Sequence, residues 1–147
     1  MQVQIEYLLH SLRETTSSDF SALGFLEPLD QRIRCDYVSG NQNEKFKNIV
    51  LRPGKGIAGE VLRRRRPFIL DASVQDAGMQ RMNFPIMLAE NLQSAAAVPV
   101  RISEEDWGVL LVASRSLRQF LSREIEMLEQ SADRLAVLLR AAELKND

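Results

Sequence analysis

The segment "RPGKGIAGEVL", residues 52–62, carries the residues whose types and spacing most suggest chemistry. Gly54, Gly56 and Gly59 complete a G-x-G-x-x-G pattern, and the acidic Asp71 follows the short apolar run "FIL". Glycines at this spacing let the main chain approach a phosphate group at the start of a helix, as in dinucleotide-binding proteins. Such a site also requires a particular arrangement of strands and helices around the glycines.

That arrangement is missing from the surrounding sequence. A dinucleotide-binding fold needs a strand before the glycines, a long helix after them and a second βαβ unit. Pro53 interrupts the approach, a short helix with four consecutive arginines follows, and no second unit appears. A phosphate-binding P-loop is also excluded, because Gly54-Lys55 is followed by Gly56 rather than by Ser or Thr. We therefore expect no bound nucleotide.

The other reactive side chains are few. The chain has one cysteine, Cys35, and one histidine, His10, so it can form no intrachain disulfide and a histidine-based metal site is not expected. No nucleophile paired with a base is recognisable. We expect Cys35 to be a small buried hydrophobic residue. We also expect no catalytic residue, no metal and no cofactor, and hence a protein that is not an enzyme.

Composition sets the class of protein. The chain has 147 residues, 45% hydrophobic and 27% charged, which predicts one folded domain spanning 1–147. Its 19 basic and 20 acidic residues leave a net charge of −1, which favours neither nucleic acid nor a membrane surface as a partner. The N-terminus lacks a signal-peptide pattern, and no apolar run approaches the ~18 residues that would cross a bilayer. We expect a cytoplasmic location.

The periodicity of apolar residues predicts an α+β fold. Apolar residues at spacings of three and four predict terminal helices over 2–15 and 122–145, on either side of a core over 18–115. The C-terminal apolar stripe is wide, because Leu138 lies beside Leu139, so it could cover a sheet or pair with a second subunit.

Hairpin-linked strands are expected to form a central antiparallel sheet, with both terminal helices on one face and short helices and loops on the other. The runs "FSALGFL" and "RIRCDYV" are predicted to pair as a hairpin. Alternation in the second run predicts that Ile33, Cys35 and Tyr37 share one side of the strand.

The segment "LRPGKGIAGEVLRRRRPFILD", residues 51–71, resembles the central signature of GAF domains, which are small-molecule-sensing modules built on an antiparallel sheet. The predicted order of elements matches that family over nearly the whole chain. The stretches "DYVSGNQNEKFKNIVLRPGKGIAG" and "FPIMLAENLQSAAAVPV" further resemble the single-domain nitrate receptors of the family, which act beside a sensor histidine kinase. The resemblance implies a nitrate sensor that regulates such a kinase, and a homodimer formed through the terminal helices.

The resemblance also implies a location for the ligand. In those receptors nitrate lies in a small cavity and is held by main-chain N–H groups, here those of Ile57, Ala58 and Ile86. Pro85 would begin the helix that carries Ile86. Cys35 stands where the receptors have an aromatic residue. The dry walls are expected from apolar side chains, namely Ile33, Cys35, Tyr37, Phe84 and Val98.

Physical chemistry is compatible with this placement but does not by itself select nitrate. The start of a helix offers unpaired N–H donors and a partial positive charge of about 0.5 e. We expect ligand binding to favour a closed form of residues 72–93. Two alternatives remain open: an enzyme similar to the GAF-type free methionine sulfoxide reductases, which need cysteine pairs, and a ligand-free module that only dimerises or docks.

Overall fold

In the computed structural model, which describes residues 1–146, the chain forms six strands and five helices. Asp147, the last residue of the predicted domain, lies outside the described residues. The strands are Phe20–Glu27 (β1), Arg32–Ser39 (β2), Val50–Leu51 (β3), Phe68–Leu70 (β4), Ser94–Arg101 (β5) and Trp107–Ser114 (β6). The helices are Gln2–Thr15 (α1), Gly56–Arg64 (α2), Ala77–Gln80 (α3), Pro85–Ala89 (α4) and Ser122–Asn146 (α5), with 3₁₀ turns at Lys45–Asn48 and Arg81–Asn83.

The strands form one antiparallel sheet in the order β3-β2-β1-β6-β5-β4, which confirms the predicted α+β fold. The two terminal helices, α1 and α5, pack on one face, here called the helix face. Helix α2 and the segment between β4 and β5 cover the other, here called the cavity face. Because successive strand residues point to opposite faces, each strand contributes to two separate cores.

The core on the helix face is made of aliphatic side chains. Leu9 of α1 and Leu128 and Leu135 of α5 are completely buried against it, as is Leu110 of β6. Each fully buried leucine stabilises the fold by roughly 1.5–3 kcal/mol relative to an exposed one. This apolar contact holds both terminal helices on the same face.

An arginine joins the end of α1 to the start of α5. Arg118 Nη1 donates to the Thr16 carbonyl at 2.6 Å, and Nη2 contacts the two carboxylate oxygens of Glu124 at 2.7 and 2.6 Å. The Leu121 N–H also donates to Glu124 Oε1 at 2.7 Å, so the same carboxylate satisfies a free donor at the start of α5. Charge-assisted bonds of this kind are among the stronger hydrogen bonds in proteins.

The glycine-rich turn is folded back on the helix that it opens. Pro53 and Gly54 occupy the centre of a β-turn closed by the Lys55 N–H and the Arg52 carbonyl at 2.9 Å, and Gly54 has φ of 91°. This is the arrangement of a type II turn, which favours proline followed by glycine. The Gly54 N–H then donates to the Gly59 carbonyl at 2.8 Å. A Cβ atom at Gly59 would lie 2.4 Å from the Arg52 oxygen, so only glycine permits this contact.

A β-bulge changes the direction of side chains along β2. Leu23 pairs with Tyr37 and Gly24 with Cys35, which leaves Asp36 without a partner on β1. Because one extra residue reverses the alternation, Cys35 faces the cavity side and Tyr37 faces the helix side. The expectation that these two side chains share a face is therefore wrong.

We expect Gly59→Ala to lower the free energy of unfolding by roughly 1–3 kcal/mol, because the added methyl group must push the Arg52 carbonyl away. Gly78→Ala is the matched control, since no atom lies within 4 Å of a Cβ built at Gly78. That variant should be unchanged or more stable by up to about 1 kcal/mol. Urea unfolding followed by circular dichroism measures both. Equal stability of the two variants would contradict the close contact.

Candidate functional site

A small cavity lies between the cavity face of the sheet and the first turns of α2 and α4. Its volume is about 60 Å³. Drug-sized ligands occupy pockets of roughly 300–1,000 Å³, so this space suits only a few atoms. The lining residues are almost all apolar: Ala22, Gly24, Ile33, Arg34, Cys35, Ile49, Leu51, Ile57, Ala58, Pro85, Ile86, Val109 and Leu111.

The first turn of α2 brings main-chain donors to the cavity. Lys55 is the N-cap of this helix and makes no side-chain capping hydrogen bond. Ile57 and Ala58 are the second and third residues of the helix, where N–H groups have no partner within the helix. Among the described residues, no main-chain or side-chain acceptor receives either N–H.

The start of α4 supplies a further donor from a different direction. Pro85 opens this helix and has no N–H, while Met87 and Leu88 both donate to the Phe84 carbonyl, at 3.0 and 3.3 Å. Ile86 is then the first residue of the helix with an N–H, and within the described chain that group has no protein acceptor. Two helix starts therefore face one small apolar space.

No side chain among the described lining residues places a buried positive charge in the cavity. Arg34 is the one charged residue among the described lining residues, but its side chain is 45% exposed and lies 3.7 Å from Asp30. Each helix start carries a partial positive charge, which is about 0.5 e for a long helix. This charge would attract an anion into the cavity. An anion held by neutral N–H groups avoids the cost of burying a cation beside it.

Cys35 presents a neutral thiol to the cavity. Burial, together with the negative charge of Asp36, raises the pKa of this thiol to about 12. Its Sγ lies 3.7 Å from the Tyr37 carbonyl and is placed to donate a weak hydrogen bond to it. Since the thiolate is the reactive form of cysteine, the Cys35 side chain behaves as a small, weakly polar wall at neutral pH.

The structure brings together most of the residues expected at the site and separates three others from them. The expected residues that do line the cavity are Ile33, Cys35, Ile57, Ala58, Pro85 and Ile86. Phe84 is buried beside this group but packs edge-on against Phe68, with ring centroids 5.5 Å apart, and does not line the cavity.

Tyr37 and Val98 lie on the helix face, and their expected place in the cavity wall is wrong. The bulge at Asp36 turns Tyr37 away. In β5 the residues on the cavity face are Ala95 and Ala97, so strict alternation places Val98 opposite.

The residues that form the floor of the cavity are not among those predicted from the sequence. Ala22 and Gly24 of β1 and Val109 and Leu111 of β6 form it, with Ile49 and Leu51 at one side, the latter two from the segment that leads into α2. The alternation of β1 and β6 is a signal that could have identified the first four. Their small or aliphatic side chains make the floor of the cavity apolar.

Comparison with solved structures gives several relatives. A hypothetical protein from Staphylococcus aureus is 32% identical, covering 80% of this chain and 97% of that chain, with a TM-score of 0.69. The NreA protein from Staphylococcus aureus, mutated in its nitrate binding site, is 30% identical, covering 81% of this chain and 91% of that chain, with a TM-score of 0.69. The GAF domain of a phosphoenolpyruvate-protein phosphotransferase from Coxiella burnetii is 20% identical over 99% and 85% of the two chains, with a TM-score of 0.80, and shares the fold.

No curated protein matches the chain. Among the described residues, none of the helices is both long enough and apolar enough to span a bilayer. The family model for the GAF domain matches residues 4–140. With most of its length covered by that model, the chain belongs to the GAF domain family.

Proposed function

We propose that this protein is a sensor of a small anion, with nitrate as the ligand. The observation that carries the proposal is the convergence of two uncapped helix starts on one small apolar cavity. The main-chain N–H groups of Ile57, Ala58 and Ile86 would hold the anion, with Cys35 and Pro85 in the wall. The 30% identity to the NreA protein with a nitrate binding site supports this choice.

The chemistry of the cavity favours a monoanion with weak hydration. Neutral N–H donors and partial helix charges compensate one dispersed negative charge. A doubly charged anion such as sulfate loses much more hydration energy on entry, and no buried cation among the described lining residues repays that loss. A volume of about 60 Å³ favours an ion of a few atoms over an amino acid or a cyclic nucleotide.

Binding would act by shifting a conformational population. Residues from both α2 and α4 line the cavity, so one ion contacting both helices would favour the arrangement in which α4 is close to the sheet. By the resemblance to single-domain nitrate receptors, we propose that this conformational change alters the surface of the domain. The altered surface then regulates a sensor histidine kinase in the cytoplasm.

The terminal helices offer a surface for assembly. A groove of about 740 Å³ runs between α1 and α5, lined in part by Val3, Tyr7, Leu8, Met127 and Leu138. Val3 is 77% and Tyr7 is 73% exposed, which is unusual for apolar side chains that share one groove. We place the homodimer contact here.

The alternative to a ligand-binding protein is an enzyme, namely a methionine sulfoxide reductase. Such an enzyme needs a reactive thiolate and a second cysteine, whereas this chain has one cysteine with a raised pKa. The environment of Cys35 therefore favours a binding protein.

We expect nitrate to raise the melting temperature of the protein, because a ligand that binds the folded state at a hundredfold excess over Kd adds about 2.7 kcal/mol to the free energy of unfolding. Thermal shift at constant ionic strength should rank nitrate above sulfate, amino acids and cyclic nucleotides. Ala58→Phe should abolish the shift by filling the cavity, and Ala141→Phe, at an exposed position on α5, should leave it intact. If no anion shifts the melting temperature, the module that only docks or dimerises is favoured instead.

We expect native Cys35 to react with iodoacetamide at pH 8 about a thousandfold more slowly than in the denatured chain, because its pKa lies near 12 rather than 9.0. Mass spectrometry of timed samples measures the two rates. Cys35→Ser should keep the nitrate-induced thermal shift. Rapid alkylation of the native thiol, or sulfoxide reduction that the serine variant lacks, would support the enzyme.

We expect Tyr7→Glu to convert a dimer into a monomer, because it places a charge in the groove between α1 and α5. Light scattering coupled to size exclusion measures the mass. Leu29→Glu is the control, since Leu29 is 95% exposed in a turn distant in sequence from both helices. A dimer that persists in Tyr7→Glu places the interface elsewhere.

A further inference from the structure

A completely buried carboxylate stands at the end of α4. Glu90 follows the last residue of this helix, and its side chain has no exposed surface. Its Oε1 accepts hydrogen bonds from the Gln42 N–H and from Arg115 Nη2, both at 2.7 Å, and the Glu90 carbonyl accepts from Arg115 Nε at 2.9 Å. Its Oε2 has no partner among the described residues. Because burying a charge is costly, the position of Glu90 depends on these few bonds.

Arg115 connects that carboxylate to two further segments. Its Nη2 also donates to the Gly40 carbonyl at 3.2 Å, and its main-chain N–H donates to Asp19 Oδ2 at 2.7 Å. Arg115, directly after β6, thereby joins α4 and the segment after β2 through its side chain, and the residue before β1 through its main-chain N–H.

The segment 40–43 holds the end of α4 through its own side chains as well. Asn43 Nδ2 donates to the Ala89 carbonyl at 2.8 Å, and Asn91 Nδ2 donates to Gln42 Oε1 at 3.2 Å. With the Gln42 N–H bond to Glu90, three hydrogen bonds tie this segment directly to residues 89–91.

The last residue of β2 and the first residue of this segment also contact α1. Arg13 Nη1 donates to Ser39 Oγ at 2.9 Å, and a Cβ atom at Gly40 would lie 2.7 Å from Arg13 Nε. The Arg13 carbonyl in turn accepts from the Ser18 N–H at 2.8 Å at the end of the helix. A continuous set of contacts therefore runs from α4 to the C-terminal half of α1.

We propose that Glu90 and Arg115 are positioning residues that couple the anion cavity to α1. The coupling rests on the proposed function, in which the anion binds at the Ile86 N–H. Helix α4 has five residues, so the ligand site at its start and the buried ion pair at its end are separated by little more than one turn. A ligand that restrains the start of α4 also restrains the ion pair, the segment 40–43 and the end of α1, which borders the groove between the terminal helices.

The test compares Glu90→Gln with Glu44→Gln by hydrogen exchange of the full chain without ligand. Glu90→Gln keeps the side-chain shape but leaves the Arg115 charge unpaired. We expect exchange to rise about tenfold in residues 40–43 and in residues 12–18 together. Glu44 pairs with Lys47 at an exposed site near the same segment, and Glu44→Gln should leave residues 12–18 unchanged. If Glu90→Gln does not fold, Arg115→Lys replaces it, with an expected rise in the same two segments.

Sodium nitrate is then added to the native protein and to Glu90→Gln. We expect nitrate to slow exchange in residues 85–89 of both proteins, but in residues 12–18 of the native protein alone. Unchanged exchange of residues 12–18 in Glu90→Gln without ligand, or slowing there by nitrate in that variant, would overturn the coupling. If nitrate slows no exchange even in the native protein, the proposed nitrate sensing fails, and the ligand-free comparison still decides whether Glu90 and α1 are coupled.

Discussion

The architecture of the site depends on the contact between Gly59 and the Arg52 carbonyl. It presses the turn after β3 against the first turn of α2, where any side chain on residue 59 would collide with the main chain. The hydrogen bond from Gly54 to the Gly59 carbonyl adds a second constraint to the same turn. With the helix start held in this way, Ile57 and Ala58 line the cavity, and neither N–H has a protein acceptor among the described residues.

The glycine-rich turn before α2 resembles phosphate-binding loops in its main-chain contacts, but the helix and the sheet around it differ. In both cases glycines allow close main-chain contacts at a helix start with unpaired donors. Here α2 has nine residues, and the sheet behind it is antiparallel and closes the space to about 60 Å³. A space of this size has no room for a nucleotide.

The two faces of the sheet carry different features, and a few polar contacts connect them. Apolar side chains of the terminal helices cover one face, and the cavity occupies the other. The bulge at Asp36 lets β2 supply Cys35 to one face and Tyr37 to the other. The ion pair of Glu90 and Arg115 crosses from α4 to the segment that touches α1. This crossing connects the cavity and the exposed groove, which lie on opposite sides of the sheet.

The sequence by itself determined the α+β fold, because periodicities of two and of three to four residues directly report which side of an element is apolar. It also predicted that Ile57, Ala58 and Ile86 lie at helix starts, since glycine and proline mark such starts. The role of their N–H groups as anion donors is implied by the resemblance to GAF-type nitrate receptors and stays a prediction. Only the tertiary structure decided which side chains share the cavity, because a one-residue bulge reverses Tyr37 without any change in the apolar pattern. The same holds for Glu90 and Arg115, 25 residues apart, whose pairing depends on long-range packing that no local pattern encodes.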